Sequence, residues 1–291
     1  MEPRVDRGDT VTILITGGSG EIATAIRPFL QPRECRLLDL APPTRPLRPG
    51  ETFLQGDLTD VETVTEAARG ADLVVHLGGY RQERDFDELL RVNIGGTRAV
   101  LEGARRAGTS RVLLASSVHA VGYATVEDSR RDPVVPVRPD SYYGVGKAAL
   151  EALGSLYADR FSMVVVSARI AAFVPQPQDV RGLSLWCSPA DLARLVRACE
   201  EFSESGHRVV WGVSANSRDW VRPDAGNTIG FHPHDDAEIF AGDLDAAPFD
   251  PDLDAETPLG GDSVIRDRPL GTDWDPRNEG PAASPAGHLA R

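Results

Sequence analysis

The stretch Val11-Thr12-Ile13-Leu14-Ile15-Thr16-Gly17-Gly18-Ser19-Gly20-Glu21-Ile22-Ala23 decides the fold. Its first six residues are rich in β-branched side chains and read as a buried strand. Small residues then turn the chain, and Glu21 to Leu30 reads as a helix. Gly17, Gly20 and Ala23 stand at the spacing of a dinucleotide-binding turn. Without Cβ atoms the backbone turns tightly and approaches a pyrophosphate, while the helix start presents free N–H groups and partial positive charge. Gly17, Gly20, Glu21 and Ile22 are therefore expected at a cofactor site.

Moving outward, short apolar runs recur at Cys35 to Asp39, Thr52 to Gln55, Asp72 to Leu77, Arg111 to Ala115 and Met163 to Ile170. Helical stretches separate them: Val61 to Arg69, Asp85 to Ala107 (with Gly95-Gly96 a weak point) and Asp140 to Arg160. This alternation predicts βαβ units, hence an α/β fold with a Rossmann-type, doubly wound parallel sheet. After Ile170 the pattern loosens, with a helix expected over Pro189 to Phe202 and a strand over His207 to Gly212. The expected organisation is an NAD-binding domain over 10–170, a small substrate-binding region over 171–240 interleaved with the core, and an acidic Pro/Gly-rich tail over 241–291. That tail is expected to be extended, with little core of its own.

Asp39 ends the second strand, 19 residues after Gly20. A carboxylate there accepts hydrogen bonds from the adenosine ribose and repels a 2′-phosphate, which favours NAD over NADP. Asp57-Leu58 follows the third strand. Asp57 either contacts adenine or serves the turn before Thr59-Asp60. Leu77-Gly78 ends the fourth strand, where small residues let the backbone approach the cofactor. His76 in the same run reads as a packed histidine rather than a ligand.

Tyr143 and Lys147 lie four residues apart on an expected helix and so share a face. Ser116-Ser117 follow the fifth strand, where a parallel sheet opens its ligand crevice. A free tyrosine, with a pKa of about 10, is a poor base near neutrality. An adjacent ammonium and a positive nicotinamide ring favour its phenolate. The phenolate then takes a hydroxyl proton as hydride leaves the same carbon, and Ser117 holds that oxygen in line. Tyr142 competes for the role, but only Tyr143 has the spacing to Lys147; Tyr143 and Lys147 are also expected to bind the cofactor.

The 291 residues, 41% of them hydrophobic, suffice for one sizeable core. The chain has no run of about eighteen apolar residues and no signal-peptide pattern. Cys35, Cys187 and Cys199 are scattered and odd in number, which suggests a reduced, cytoplasmic protein. A net charge of −13 argues against nucleic acid and anionic membranes as partners. His232-Pro233-His234-Asp235-Asp236 reads as solvated, and the chemistry requires no metal.

Together these residues resemble the extended short-chain dehydrogenase/reductase superfamily, which includes NAD-dependent epimerases and dehydratases. The finer similarity is to the uronate dehydrogenase family. It is carried by His76-Leu77-Gly78-Gly79, Ala115-Ser116-Ser117-Val118-His119, Tyr143-Gly144-Val145-Gly146-Lys147 and Val210-Trp211-Gly212-Val213-Ser214-Ala215-Asn216, and by the run from Arg169 through Pro175-Gln176-Pro177 and Arg181 to Trp186. The resemblance implies oxidation of C1 of a cyclic hexuronic acid with NAD to an aldarolactone, with Ser117, Tyr143 and Lys147 catalytic. It also implies that His119 and Arg181 bind substrate. A guanidinium suits a carboxylate in any case, through two parallel hydrogen bonds; His119 alternatively packs within its loop. The chain departs from the family at the pocket, with Arg81 for Ser, Val118 for Asn and Ala172 for Ser, and Arg81 adds a cation there. Such changes can alter the substrate. Two other readings are a nucleotide-sugar epimerase or dehydratase, which returns its hydride, and a dinucleotide sensor without turnover. A homo-oligomer is plausible from the superfamily.

Overall fold

Strand β1, Thr12–Thr16, is buried at all five residues. Its side chains divide by parity, as the two-residue period of a strand requires. Ile13 and Ile15 face one apolar layer and Leu14 the other. Both faces are thus covered by helices, so the run is continuously apolar and does not alternate with polar residues. The computed structural model describes residues 11–244, 254–264 and 269–272.

Chain order is β1, α1 (Glu21–Ile26), β2 (Glu34–Asp39), β3 (Glu51–Gln55), α2 (Val61–Ala68), β4 (Leu73–His76), α3 (Phe86–Leu89), α4 (Gly95–Ala107), β5 (Arg111–Ser117), α5 (Val126–Arg131), α6 (Tyr142–Phe161), β6 (Val164–Ile170), α7 (Val180–Leu185), α8 (Pro189–Glu201), β7 (Gly206–Gly212) and α9 (Asp224–Asn227). The seven strands form one sheet in the order β3-β2-β1-β4-β5-β6-β7, and every pairing is parallel. Helices α1 and α8 cover the face holding Ile13, Leu37, Val75 and Leu113. Helices α2, α4 and α6 cover the face holding Leu14, Val74, Leu114 and Val165. This is the doubly wound sheet expected from the sequence.

Several boundaries differ from expectation. The helix expected over Asp85 to Ala107 is interrupted by a π-helical turn, Leu90–Ile94, between α3 and α4. The interruption falls before Gly95-Gly96, at Asn93, whose side chain accepts from the Tyr80 N–H at 2.8 Å and donates to the Tyr80 carbonyl at 3.0 Å. The widened turn aims this buried amide at the loop after β4. The first helix stops at Ile26 and continues as a 3-10 turn, Arg27–Phe29, around Pro28; proline has no N–H to continue an α-helix. Strand β5 runs on through Ser116 and Ser117, paired to Arg169 and Ile170. Helix α6 begins at Tyr142, with Ser141 as its cap.

The tail is the largest difference. Residues 254–264 return to the body: Thr125 and Pro258 form an antiparallel bridge, and Leu259 is fully buried with Val118, Val121, Trp211 and Trp220. Composition hid this, because one leucine among Asp, Pro and Gly suffices to anchor the segment. Residues 245–253, 265–268 and 273–291 of the tail, and 1–10 at the other end, lie outside the described residues. Among the described residues no helix is long and apolar enough to cross a membrane.

Candidate active site

Strand order reverses at β1, which lies between β2 and β4. An open parallel sheet places its ligand crevice beyond the carboxyl ends of the strands at such a point. Gly17, at φ +71°, sits so close to β4's end that a Cβ on it would lie 2.6 Å from the Gly78 N and Cα. A Cβ on Gly78 would in turn meet Leu58 Cδ2 at 2.3 Å. Gly17, Leu58 and Gly78 thus form one contact of bare backbone against leucine. Gly20 caps α1, and no side chain takes the N–H groups there. Ile22 and Leu77 pack against the core below.

Asp39 stands at the end of β2. Its Oδ2 accepts from the Ser19 N–H at 3.0 Å and its Oδ1 from the Leu40 N–H at 2.7 Å. The carboxylate therefore rims the glycine turn. Bare backbone, unclaimed N–H groups and an acidic rim are the donor set that a dinucleotide takes, so these residues fit NAD. Asp57 accepts from the Thr59 N–H and hydroxyl, each at 2.8 Å, while Asp60 caps α2. The turn role of Asp57 is thus present in the structure.

The catalytic candidates converge at the end of β5. Ser117 closes that strand. Tyr143 and Lys147 project from the first turns of α6, and all three are buried. The Ser117 side chain stands near enough to Tyr143 to favour its phenolate. Lys147 Nζ donates to the Ala115 carbonyl at 2.6 Å and lies 5.5 Å from the Tyr143 ring centroid. Tyr142, by contrast, packs edge-on against Phe86 at 5.1 Å.

Electrostatics in the protein alone run against the simple expectation of a ready phenolate. Burial pushes the Tyr143 phenol up to about 12; the nearby Ser117 side chain opposes this, and the Asp140 charge adds to it. Burial also lowers Lys147 to about 8, so its ammonium is itself disfavoured. Desolvation is the leading cause for both groups. His76 is fully buried and pulled down to about 3, chiefly by burial and then by Lys147. It is held between Thr16 at 2.8 Å and Thr97 at 3.1 Å, a packed neutral histidine, as expected.

Three supports around these groups were not read from the sequence. Glu83 accepts from the backbone N–H groups of Tyr142 at 3.1 Å, Tyr143 at 2.7 Å and Gly271 at 2.9 Å, and so fastens the start of α6. Asp140 accepts from His119 Nδ1 at 2.8 Å and from the Ser141 hydroxyl at 2.8 Å, and His119 packs edge-on against Tyr143 at 5.8 Å. Glu151 forms a buried pair with Arg169 at 2.9 and 2.8 Å and accepts from Ser116 at 2.6 Å. Only the four-residue step from Lys147 to Glu151 hinted at this last group.

The remaining expected residues are spread around the crevice. Arg81 pairs with Glu21 at 2.5 Å, both well exposed. Arg181, on α7, donates to the Leu259 carbonyl. Val118 is buried in the apolar cluster of Trp211 and Leu259, so packing accounts for an apolar residue there. Ala172 bridges to Trp186. In the His232 segment, the His234 and Asp235 N–H groups donate to Asp191 at 2.8 and 2.9 Å. Among the described residues no group of three side chains could hold a metal ion.

Residues 13–224 match the NAD dependent epimerase/dehydratase family. The uronate dehydrogenase of Pseudomonas syringae pv. tomato is 35% identical over 261 residues, 89% of this chain and 94% of that one. The crystal structure of uronate dehydrogenase from Agrobacterium tumefaciens has a TM-score of 0.80 at 35% identity, covering 91% of this chain and 99% of that one. A mutant of that enzyme complexed with NAD has a TM-score of 0.79 at 35% identity, with 90% and 98% covered. With residues 13–224 matching the family and most of its length aligned with these enzymes, the chain belongs to the NAD dependent epimerase/dehydratase family and stands among the uronate dehydrogenases.

Proposed function

We propose that this protein is an NAD-dependent dehydrogenase that oxidises the C1 hydroxyl of a cyclic hexuronic acid to a lactone. The observation that carries the reading is the convergence of Ser117, Tyr143 and Lys147 beside the switch-point crevice, in a chain 35% identical to a uronate dehydrogenase along most of its length. Gly17, Gly20, Glu21, Ile22, Asp39, Asp57, Leu58, Leu77 and Gly78 would hold the NAD, with Tyr143 and Lys147 beside it. When bound, NAD supplies the hydride acceptor and a positive ring.

The chain's own residues manage the proton. Ser117 holds the substrate oxygen beside the phenol, and Tyr143 accepts the hydroxyl proton as the C1 hydrogen departs with its electron pair. Lys147, fixed by the Ala115 carbonyl, keeps positive charge against the ring. The buried site excludes water, which strengthens each of these interactions. His119 and Arg181 are the groups assigned to the sugar, the guanidinium to its carboxylate. Arg81, held by Glu21, adds a cation at the rim. Cys35, Cys187 and Cys199 are free and buried, which suits a reducing, cytoplasmic compartment.

The test is NADH formation from galacturonate, glucuronate and neutral aldoses. A uronate should be oxidised stoichiometrically. An epimerase would accumulate no NADH, and a sensor would turn nothing over. In Tyr143→Phe, kcat should fall by roughly 10²- to 10⁴-fold while NAD affinity stays unchanged, because Gly17 and Asp39 do not touch the phenol. A fully active Tyr143→Phe enzyme would sink the assignment.

A further inference from the structure

The C-terminal segment is bonded to the loop that follows the catalytic serine. The Val126 N–H donates to the Thr257 carbonyl at 3.0 Å, the Leu259 N–H to Ala124 at 2.8 Å and the Gly260 N–H to Gly122 at 2.9 Å. Trp220 Nε1 donates to Asp254 at 2.9 Å. The Leu259 side chain is fully buried, and its carbonyl accepts from the Arg181 guanidinium.

Gly260 lies against Asp140. A Cβ on Gly260 would sit 2.2 Å from Asp140 Oδ2, and one on Gly122 would sit 1.9 Å from the same oxygen. On a third side, a Cβ on Gly144 would sit 3.2 Å from Asp140 Oδ1. Three glycines from separate parts of the chain therefore enclose a carboxylate with no exposed surface. That carboxylate accepts from His119 Nδ1. A carboxylate oxygen only accepts, so the Nδ1 of His119 carries a proton there. The ring is thereby fixed in orientation and held edge-on to Tyr143.

We propose that residues 254–261 form a wall of the sugar pocket, with Leu259 positioning Arg181 and Gly260 positioning His119 through Asp140. The proposal rests on the sugar-acid reading above and deepens it. Leu259 and Gly260 are positioning residues that act through the groups assigned to the sugar, and the NAD side of the crevice is independent of them.

The experiment uses the full chain. Gly260→Ala, Asp140→Ala and their double variant are compared with Gly242→Ala, a substitution into open space at an exposed position of the 3-10 turn Ala237–Leu244. KM and kcat are measured with galacturonate and glucuronate, and NAD affinity by quenching of tryptophan fluorescence. Gly260→Ala should raise the uronate KM on the order of tenfold or more, with NAD affinity unchanged and Gly242→Ala like wild type. The double variant should be little worse than Asp140→Ala alone, since the severe overlap is with the carboxylate at 2.2 Å and what remains is a 3.0 Å approach to the Gly122 backbone. The proposal is overturned if Gly260→Ala is silent, if the two effects add, or if NAD affinity falls in both Gly260→Ala and the double variant. A wild-type chain inactive on both uronates removes the sugar-acid reading, and this inference with it.

Discussion

Tyr143 was legible because four residues separate it from Lys147, and one helical turn is a local quantity. Its electrostatics were not legible, since burial depends on everything packed around it. With the phenol at about 12 and the amine at about 8, the sign of the pH dependence follows. A base must be deprotonated to act, so oxidation should speed up as pH rises from about 7. Above about 8 the Lys147 charge is lost, so the climb should flatten on the alkaline side. A rate profile falling from neutrality upward would contradict Tyr143 as the base. Asp39 was read from a 19-residue interval, and the structure adds that it accepts the Ser19 N–H. Asp39→Ala should narrow the preference for NAD over NADP by on the order of tenfold, about 1.4 kcal/mol, as measured by kcat/KM for each cofactor. A wild-type enzyme that prefers NADP would refute this use of the carboxylate.

Among the elements, α6 and β5 do most to define the site, and the sequence located both within two residues. The tie between them was not legible. Glu151 on α6 meets Arg169 from β6 and Ser116 from β5, and no spacing along the chain reports a contact between three separate elements. The pair is buried, so removing one partner leaves an uncompensated charge. Arg169→Met should lower unfolding free energy by roughly 3–5 kcal/mol, and the double replacement of Glu151 and Arg169 by Met should recover much of it. Urea unfolding measures both. Equal losses in the single and double variants would show that packing, and not charge, dominates there. The π-helical turn before α4 was equally hidden. It exists to let Asn93 reach the Tyr80 backbone, a partner thirteen residues earlier.

For the whole molecule, the parallel pairing is the one the βαβ alternation predicts, and the strand order β3-β2-β1-β4-β5-β6-β7 is what the structure adds. The path of the C-terminal segment does not follow from the alternation either. Acidic, proline-rich stretches bury little apolar surface, so the expectation of an extended tail was reasonable on composition. Residues 254–264 nevertheless dock through Leu259 and backbone hydrogen bonds, and 269–272 reach Glu83 at the head of α6. The head of α6 is therefore fastened by chain more than a hundred residues downstream.

The sequence by itself determined the layered α/β architecture, the glycine turn after β1 and the one-turn spacing of Tyr143 from Lys147. Each of these is written in periodicity or short spacing, where neighbours along the chain are also neighbours in space. Only the tertiary structure decided the carboxylates that hold the site: Glu83, Asp140 and Glu151 reach across to other elements. It also decided the burial of Tyr143, and the docking of Leu259 in the Trp211 cluster and of Gly260 against Asp140. Desolvation and long-range contact depend on which distant segments meet, and that is settled only when the whole chain has packed.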